Sequence, residues 1–395
     1  MTAVRTQVGI VGAGPAGLFL AHLLALNGIE STVIDSRSQA EIETTVRAGI
    51  LEAGSVQALT DSGASTRVLV DGHRHDGIEL RIAGEGHRID LRALTGRSVW
   101  LYPQHEVLRD LLQVRLAAGQ DIRFNTTATH VDDSQPQPRI VAVHGDGEVL
   151  EIEADFVIGA DGSRSQVREA VCGSLRSGYF REYPFAWFGI LCEAPPSAPE
   201  LIYSNSGNGF ALISQRSDTV QRMYLQCDPD LDPQAMSDDE IWASLRDRVF
   251  PAPLNEGPIF QRDVLRFRSF VADRLQRGHM ALVGDSAHTV PPTGAKGMNL
   301  ALADVIVLAR CLTASLRDGT DGPFDAYSEL VLPRIWKAQN FSWWMTSMLH
   351  VAPGATEFDR RRQQGELQAL FDSEAGQTYL AEAYTGWPIA EVSWS

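Results

Sequence analysis

The stretch from Thr6 to Asp35 reads TQVGIVGAGPAGLFLAHLLALNGIESTVID. An apolar strand, Thr6 to Val11, runs into Gly12-Ala13-Gly14-Pro15-Ala16-Gly17. A nearly all-apolar helix follows and stops at Asn27-Gly28. A second strand, Ser31 to Ile34, ends at Asp35, 23 positions after Gly12. Strand, glycine turn, helix and acid in this order form a dinucleotide-binding unit. Gly12 permits the tight turn, Gly14 lets a pyrophosphate approach the backbone, and Gly17 lets helix and strand pack closely. Asp35 is placed to hold a pair of ribose hydroxyls.

Outward from this unit, a second stretch stands out: Leu282 to Asn299, LVGDSAHTVPPTGAKGMN. An apolar strand end stops at Gly284-Asp285, passes two prolines and enters the apolar helix that begins at Leu300. Such a turn brings backbone N–H groups and a helix N-terminus to one point, which suits anionic or electron-rich ligands. Pro291-Pro292 is expected to leave carbonyls facing outward, because proline disfavours helix before it. Asp155 to Ala160 is a third apolar strand, ending in Asp161-Gly162-Ser163-Arg164-Ser165. That turn reads equally as a second nucleotide contact or as a capped helix with surface arginines.

The remaining chain divides by texture. Ser36 to Ala48 reads as a polar loop, followed by a helix from Ala48 to about Gly63. Ile78 to Ile82 alternates like a half-buried strand. Between Tyr183 and Phe270, strands and turns dominate, predicting a sheet-rich unit inserted into the nucleotide-binding one. Phe358 to Ala383 reads as helix, and Trp343-Trp344-Met345 as core. The expected fold class is α/β: a Rossmann-like nucleotide domain over 1–75, 100–180 and 268–340, an inserted substrate domain over 76–99 and 181–267, and a C-terminal helical segment over 341–395.

At 395 residues the chain exceeds one small core. A net charge of -16 argues against a nucleic-acid or acidic-membrane partner. The four cysteines form no CxxC pair, which fits free thiols in a reducing compartment and neither a disulfide frame nor a zinc site. With no signal peptide pattern at the N-terminus, a cytoplasmic protein is expected.

The set GAGPAG with its downstream acid, DGSRSQVR, and GDSAHTVPPTGAKGMN resembles the single-component FAD aromatic hydroxylases. Further matching stretches are VRAGILE (46–52), HDGIEL (75–80), RIDL (88–91), YPF (183–185), ELIY (200–203), FALISQRS (210–217), RSFV (268–271), RIWKAQNFSWWMTSMLH (334–350) and AEAYTGWP (381–388). The resemblance spans essentially the whole chain. It includes substrate-site segments of members that act on 4-hydroxybenzoate.

The resemblance implies FAD as cofactor, held by Gly12, Gly14, Ala16, Gly17, Asp35, Arg47, Ala48, Gly49, Gln104, Asp161, Asp285, Gly297, Met298 and Asn299. It implies a substrate carboxylate bound by Ser214, Arg216 and Tyr224, beside Pro292 and Thr293. Arg216 offers the planar fork that suits a carboxylate. The phenol would meet Tyr203, whose neighbour Tyr384 passes the proton toward His75, a group expected to titrate near neutrality. Pro292 would orient the ring through its carbonyl. The implied reaction is C3 hydroxylation to 3,4-dihydroxybenzoate with NAD(P)H and O2, through a flavin C4a-hydroperoxide. An electrophile of that kind reacts far better with phenolate than with phenol. Arg222 matches an arginine that supports flavin movement, and the family assembles as homodimers.

The chain holds a single dinucleotide fingerprint, so NADH or NADPH must bind in a groove. Arg37, Arg47, Ser163, Arg164, Arg168 and Arg268 are the matching positions. Glu41 and Glu43 would repel a 2′-phosphate and Arg37 would attract it, so NADH is expected to serve at least as well as NADPH. Pro103 and the Ser163-Arg164 pair depart from the family's usual residues. Two alternatives stay open, a hydroxylase of an aminobenzoate or dihydroxybenzoate and a non-catalytic flavin-bound ligand sensor, whereas a third, a flavin or disulfide reductase, lacks the features it needs. The last would require a second nucleotide unit or a CxxC.

Overall fold

A computed structural model describes residues 2–45, 49–133 and 137–389. Its first sheet has eight strands. Thr2–Val11 lies at its centre, parallel to Val149–Gly159 on one side and to Ser31–Ile34 on the other. Met280–Leu282 extends it beyond Val149–Gly159, and Ile122–Arg123 beyond Ser31–Ile34. A hairpin of Thr126–Asp132 and Arg139–His144 joins as an antiparallel flap. Val8, Ile10, Val33, Val157, Ile158 and Leu282 are fully buried, as parallel strands covered on both faces must be.

The second sheet is also eight-stranded, in the order His288–Thr289, Ile259–Ala272, Gly178–Glu193, Val220–Cys227, Gly209–Gln215, Ile202–Ser206, Gly77–Ile82, Glu85–Asp90. Its pairings are antiparallel except between Ile202–Ser206 and Gly77–Ile82. Its two faces feed two separate cores. One holds Trp187, Tyr203, Phe210, Leu212 and Tyr224; the other holds Phe188, Ile190, Ile213, Met223 and Leu225 under the helix Asp238–Val249. The alternation of neighbouring residues between cores is the period-2 signature of a strand.

A small third sheet pairs Ile50–Glu52 and His73–His75 with Val99–Leu101. The helix Tyr327–Leu349 ties the cores together: Val331, Ile335 and Ala338 pack into the nucleotide-domain core, and Phe341, Met345 and Met348 into the substrate-side core.

Several boundaries differ from the sequence reading. The polar loop after Asp35 contains a helix, Gln39–Thr44, started by a Ser38–Glu41 capping box. The helix expected from Ala48 begins at Ala53, because Ile50–Glu52 is claimed by the third sheet. The C-terminal helix is two, Glu357–Phe371 and Glu374–Thr385, the second capped by Ser373. Trp343, expected in the core, is exposed, as is Trp336 two turns earlier on the same helix. The helix Gly297–Asp318 is long and apolar enough to cross a membrane, but most of it is buried within the protein.

Candidate active site

The glycine turn is as tight as its motif requires. Gly12 has φ +110, and a Cβ there would lie 2.3 Å from the Ala160 carbonyl oxygen. A Cβ on Gly17 would lie 1.9 Å from the Gly12 carbonyl oxygen. The helix Pro15–Leu26 has no side-chain cap, and neither does Gly297–Asp318. Two helix N-termini therefore present uncapped N–H groups. Asp161 caps the helix Gln166–Cys172 through Oδ2, which accepts from the Gln166 N–H at 2.7 Å. Its buried Oδ1 has no partner, and burial pushes its pKa up. Bare N–H groups, a glycine cradle and an orphaned acceptor fit a dinucleotide with sugar hydroxyls to donate. Asp285 is exposed on a turn, and Gln104 opens the helix Gln104–Ala117.

Asp35 is more occupied than its motif role suggests. Oδ2 accepts from the Ala13 N–H at 2.7 Å, and Arg37 grips the carboxylate with Nε at 3.0 Å and Nη2 at 2.9 Å. Any ribose hydroxyl must share these oxygens. Arg47 and Ala48 lie outside the described residues.

The second loop is held from behind. Asp304 accepts from His288 Nε2 at 2.5 Å and from the Gly284 N–H at 3.2 Å, both histidine and acid being buried. The Pro292 carbonyl was expected to face outward unpaired. Instead Pro292–Gly294 forms a 3-10 turn and that carbonyl accepts from the Ala295 N–H at 2.9 Å, leaving one lone pair for a ligand. Thr293 is buried, its hydroxyl accepting from Thr346 at 2.9 Å. Asn299 spends its side chain on Glu52 N–H, the Ile50 carbonyl and the Ala295 carbonyl, so its backbone is what remains for a cofactor.

Across the second sheet one row of residues is in register: Leu80 beside Tyr203, Tyr203 beside Leu212, Leu212 beside Tyr224, Tyr224 beside Gly189, Gly189 beside Asp263. The next row sets Ser214 beside Arg222. Tyr203 and Tyr224 therefore stand two strand spacings apart, about 10 Å. Arg216 follows at the strand end, with Nη1 on Ser214 Oγ at 3.1 Å. Burial pushes its pKa below the usual guanidinium range, and no carboxylate pairs with it among the described residues.

At the other end the Tyr203 and Tyr384 hydroxyls meet at 2.7 Å, with the residues 1% and 2% exposed. Burial raises both pKa values, so both phenols stay protonated at neutral pH. His75 departs from expectation. It is buried in the third sheet, with both ring nitrogens unpartnered, and desolvation pushes its pKa down to about 4. It is a neutral imidazole well below neutrality in its titration, because no carboxylate near it outweighs its burial.

The residues expected to meet a nicotinamide nucleotide separate into two groups. Arg164 and Arg268 are exposed, and Arg268 Nη2 donates to Ser163 Oγ at 2.8 Å. Arg168 is 4% exposed; its guanidinium lies over the Phe270 ring and donates to the Ser286 carbonyl at 3.0 Å. Buried there, it braces the turn at Asp285 from behind.

Sequence reasoning missed one charged cluster. Lys296 Nζ is buried at 2.6 Å from Glu52 Oε1 and 3.0 Å from the Tyr384 carbonyl, and Arg334 Nη2 is 3.1 Å from Glu52 Oε2. It ties the proline loop, the third sheet and the C-terminal tyrosine together. A lysine within an apolar, glycine-flanked run was the available signal.

A family model described as "FAD binding domain" matches residues 5–342. A p-hydroxybenzoate hydroxylase of Acinetobacter baylyi is 40% identical over 392 residues, covering 98% of this chain and 97% of that one. A 6-methylpretetramide 4-monooxygenase of Streptomyces rimosus is 31% identical, over 79% of this chain and 76% of its own. The crystal structure of p-nitrophenol 4-monooxygenase from Pseudomonas putida superposes with a TM-score of 0.81 at 19% identity, covering 98% of this chain and 100% of that one. The chain belongs to the FAD-binding domain family and is an FAD-dependent aromatic monooxygenase of the p-hydroxybenzoate hydroxylase type.

Proposed function

We propose that this protein hydroxylates 4-hydroxybenzoate at C3 to give 3,4-dihydroxybenzoate, consuming NAD(P)H and O2. The observation that carries the reading is the transverse row, with a carboxylate-seeking arginine and Tyr224 at one end and the Tyr203–Tyr384 pair at the other. A benzene ring with para-disposed carboxylate and oxygen bridges that gap with a hydrogen bond at each end. One oxygen atom enters the ring. The other leaves as water with the two electrons of the nicotinamide.

Bound FAD supplies the redox chemistry, accepting the hydride and delivering an electrophilic oxygen. The chain's residues prepare the ring. Arg216 and Ser214 fix the carboxylate. Tyr203 donates to the phenolate oxygen while Tyr384 donates to Tyr203, so neither tyrosine must ionise. His75, a neutral imidazole with both ring nitrogens unpartnered, is the acceptor in this reading, reached through water. The buried aromatic walls exclude bulk water.

Arg37 is committed to Asp35, and Glu41 to the Ser38 cap. Little cationic charge is then left for a 2′-phosphate, which supports NADH serving at least as well as NADPH. A homodimer is part of the reading, supported by exposed Trp336, packed edge-on with exposed Tyr179, and by exposed Trp343. Sedimentation checks it.

The deciding experiment is anaerobic flavin reduction by each nicotinamide, with and without 4-hydroxybenzoate, followed by oxygen and product identification. Strong substrate stimulation and 3,4-dihydroxybenzoate are expected. Peroxide with unchanged aromatic acid would point to an aminobenzoate or dihydroxybenzoate. No stimulation at all would point to a ligand sensor.

A further inference from the structure

Arg222 and Tyr224 project from one face of Val220–Cys227, and Asp263 projects from Ile259–Ala272 two strands away. The strand between them carries Gly189, in register with both Tyr224 and Asp263. A Cβ at Gly189 would lie 2.6 Å from Asp263 Oδ1, 2.9 Å from Tyr224 Cε1 and 3.0 Å from Arg222 Nη2. The three side chains therefore meet in the space that the glycine leaves. There Arg222 Nη2 lies 2.6 Å from Asp263 Oδ2, and its guanidinium sits over the Tyr224 ring at 5.0 Å.

Two arginines thus flank one tyrosine, and they differ. Arg222 has a carboxylate. Arg216 donates to a hydroxyl and a carbonyl and has no carboxylate partner among the described residues. The neighbouring pKa shifts run in opposite directions. Burial and the nearby Arg222 charge lower Arg216, while Tyr224 and Asp263 outweigh burial and raise Arg222.

We propose that Asp263 is a specificity-determining residue: by neutralising Arg222 it leaves one unpaired guanidinium, Arg216, and so sets this end of the cavity to take a ligand with a single carboxylate. This rests on the reading of Arg216 as the carboxylate-binding residue. Asp263 is a positioning residue that acts through Arg222. Its negative charge repels the incoming carboxylate across one guanidinium. Removing that charge exposes a second cation to the anion.

The test uses FAD-loaded enzyme with 4-hydroxybenzoate and its neutral isostere, 4-hydroxybenzamide. Dissociation constants come from flavin absorbance or fluorescence titration at two salt concentrations. In Asp263→Asn the acid is expected to bind about three- to tenfold tighter, with a steeper salt dependence, while the amide is unchanged. Asp263→Ser is expected to behave alike, and Asp263→Glu to restore the wild-type ratio of amide to acid. Acid and amide shifting together in both neutral variants, or the acid weakening, would overturn the proposal and make Asp263 a structural anchor. A wild-type enzyme with no preference for acid over amide, matched by Arg216→Met, would overturn the carboxylate-binding reading itself, and this inference with it.

Discussion

Replacing Tyr384 with phenylalanine isolates the proton end of the cavity. The substitution keeps the ring against Tyr203 and Phe341, whose centroids lie 6.2 and 6.5 Å away, and deletes one oxygen. That oxygen lies 2.7 Å from Tyr203 Oη in a site closed to solvent. A buried hydroxyl left without its partner costs about 1–3 kcal/mol, so the unfolding free energy should fall by that amount. The larger effect concerns the ligand. With Tyr384 donating to it, Tyr203 is a stronger donor to a phenolate. Losing that support weakens, without deleting, the charge-assisted bond from Tyr203, by about 0.5–1.5 kcal/mol, which raises the bound phenol's pKa by roughly one unit at most. Ring hydroxylation then falls on the order of a hundredfold, the lower range for a lost proton-transfer group. Flavin reduction by the nicotinamide should change far less. The assay is difference absorbance of bound 4-hydroxybenzoate across pH, with product counted per nicotinamide oxidised. An unshifted phenol titration in Tyr384→Phe, with wild-type product yield, would refute the relay.

Lys296→Met leaves buried Glu52 with Arg334 alone and should cost about 3–5 kcal/mol in urea unfolding; adding Glu52→Gln should cost less than the sum of the two single variants, and strict additivity would count against a coupled cluster. Gly17→Ala forces a methyl to within 1.9 Å of the Gly12 carbonyl oxygen. Strain of about 1–3 kcal/mol should weaken FAD retention on the order of tenfold, read from the flavin-to-protein absorbance ratio. His75 and His350 are held neutral by burial, down to about 4 and about 3 from an ordinary 6.5. Below pH 6.5 the unfolded chain therefore takes up protons that the folded chain refuses, and stability falls as pH falls. The loss should reach about 2.5 kcal/mol per histidine by pH 4.5, and His75→Gln should remove one share; a flat urea midpoint between pH 7 and 4.5 would refute it.

The parts legible in the sequence are those where local chemistry decides. Gly12 and Gly17 sit where no Cβ fits, and the alternation from Gln221 to Gln226 reports two differently covered faces. What was not legible depends on partners distant in the chain. Ile50–Glu52 reads as the start of a helix until Val99–Leu101 arrives to pair with it. The Pro292 carbonyl looks free until Ala295 adopts φ +53 and turns its N–H back. Arg168 reads as a surface cation because nothing local announces that Phe270, about a hundred residues later, will lie under its guanidinium.

Register explains why the cavity is more than the sum of its motifs. Tyr203, Leu212, Tyr224, Gly189 and Asp263 come from five strands, and each keeps its position on one face only while the pairing holds. A one-residue slip of Val220–Cys227 would turn Arg222 and Tyr224 toward the helix Asp238–Val249 and bring Met223 and Leu225 into the cavity. The apolar residues of the opposite core, Ile213, Met223 and Leu225 against Ile241 and Leu245, oppose that slip, because it would drive an arginine into their midst. The core that never touches the ligand is therefore what spaces the tyrosines and aims the arginines, and it does so by making every other register costly.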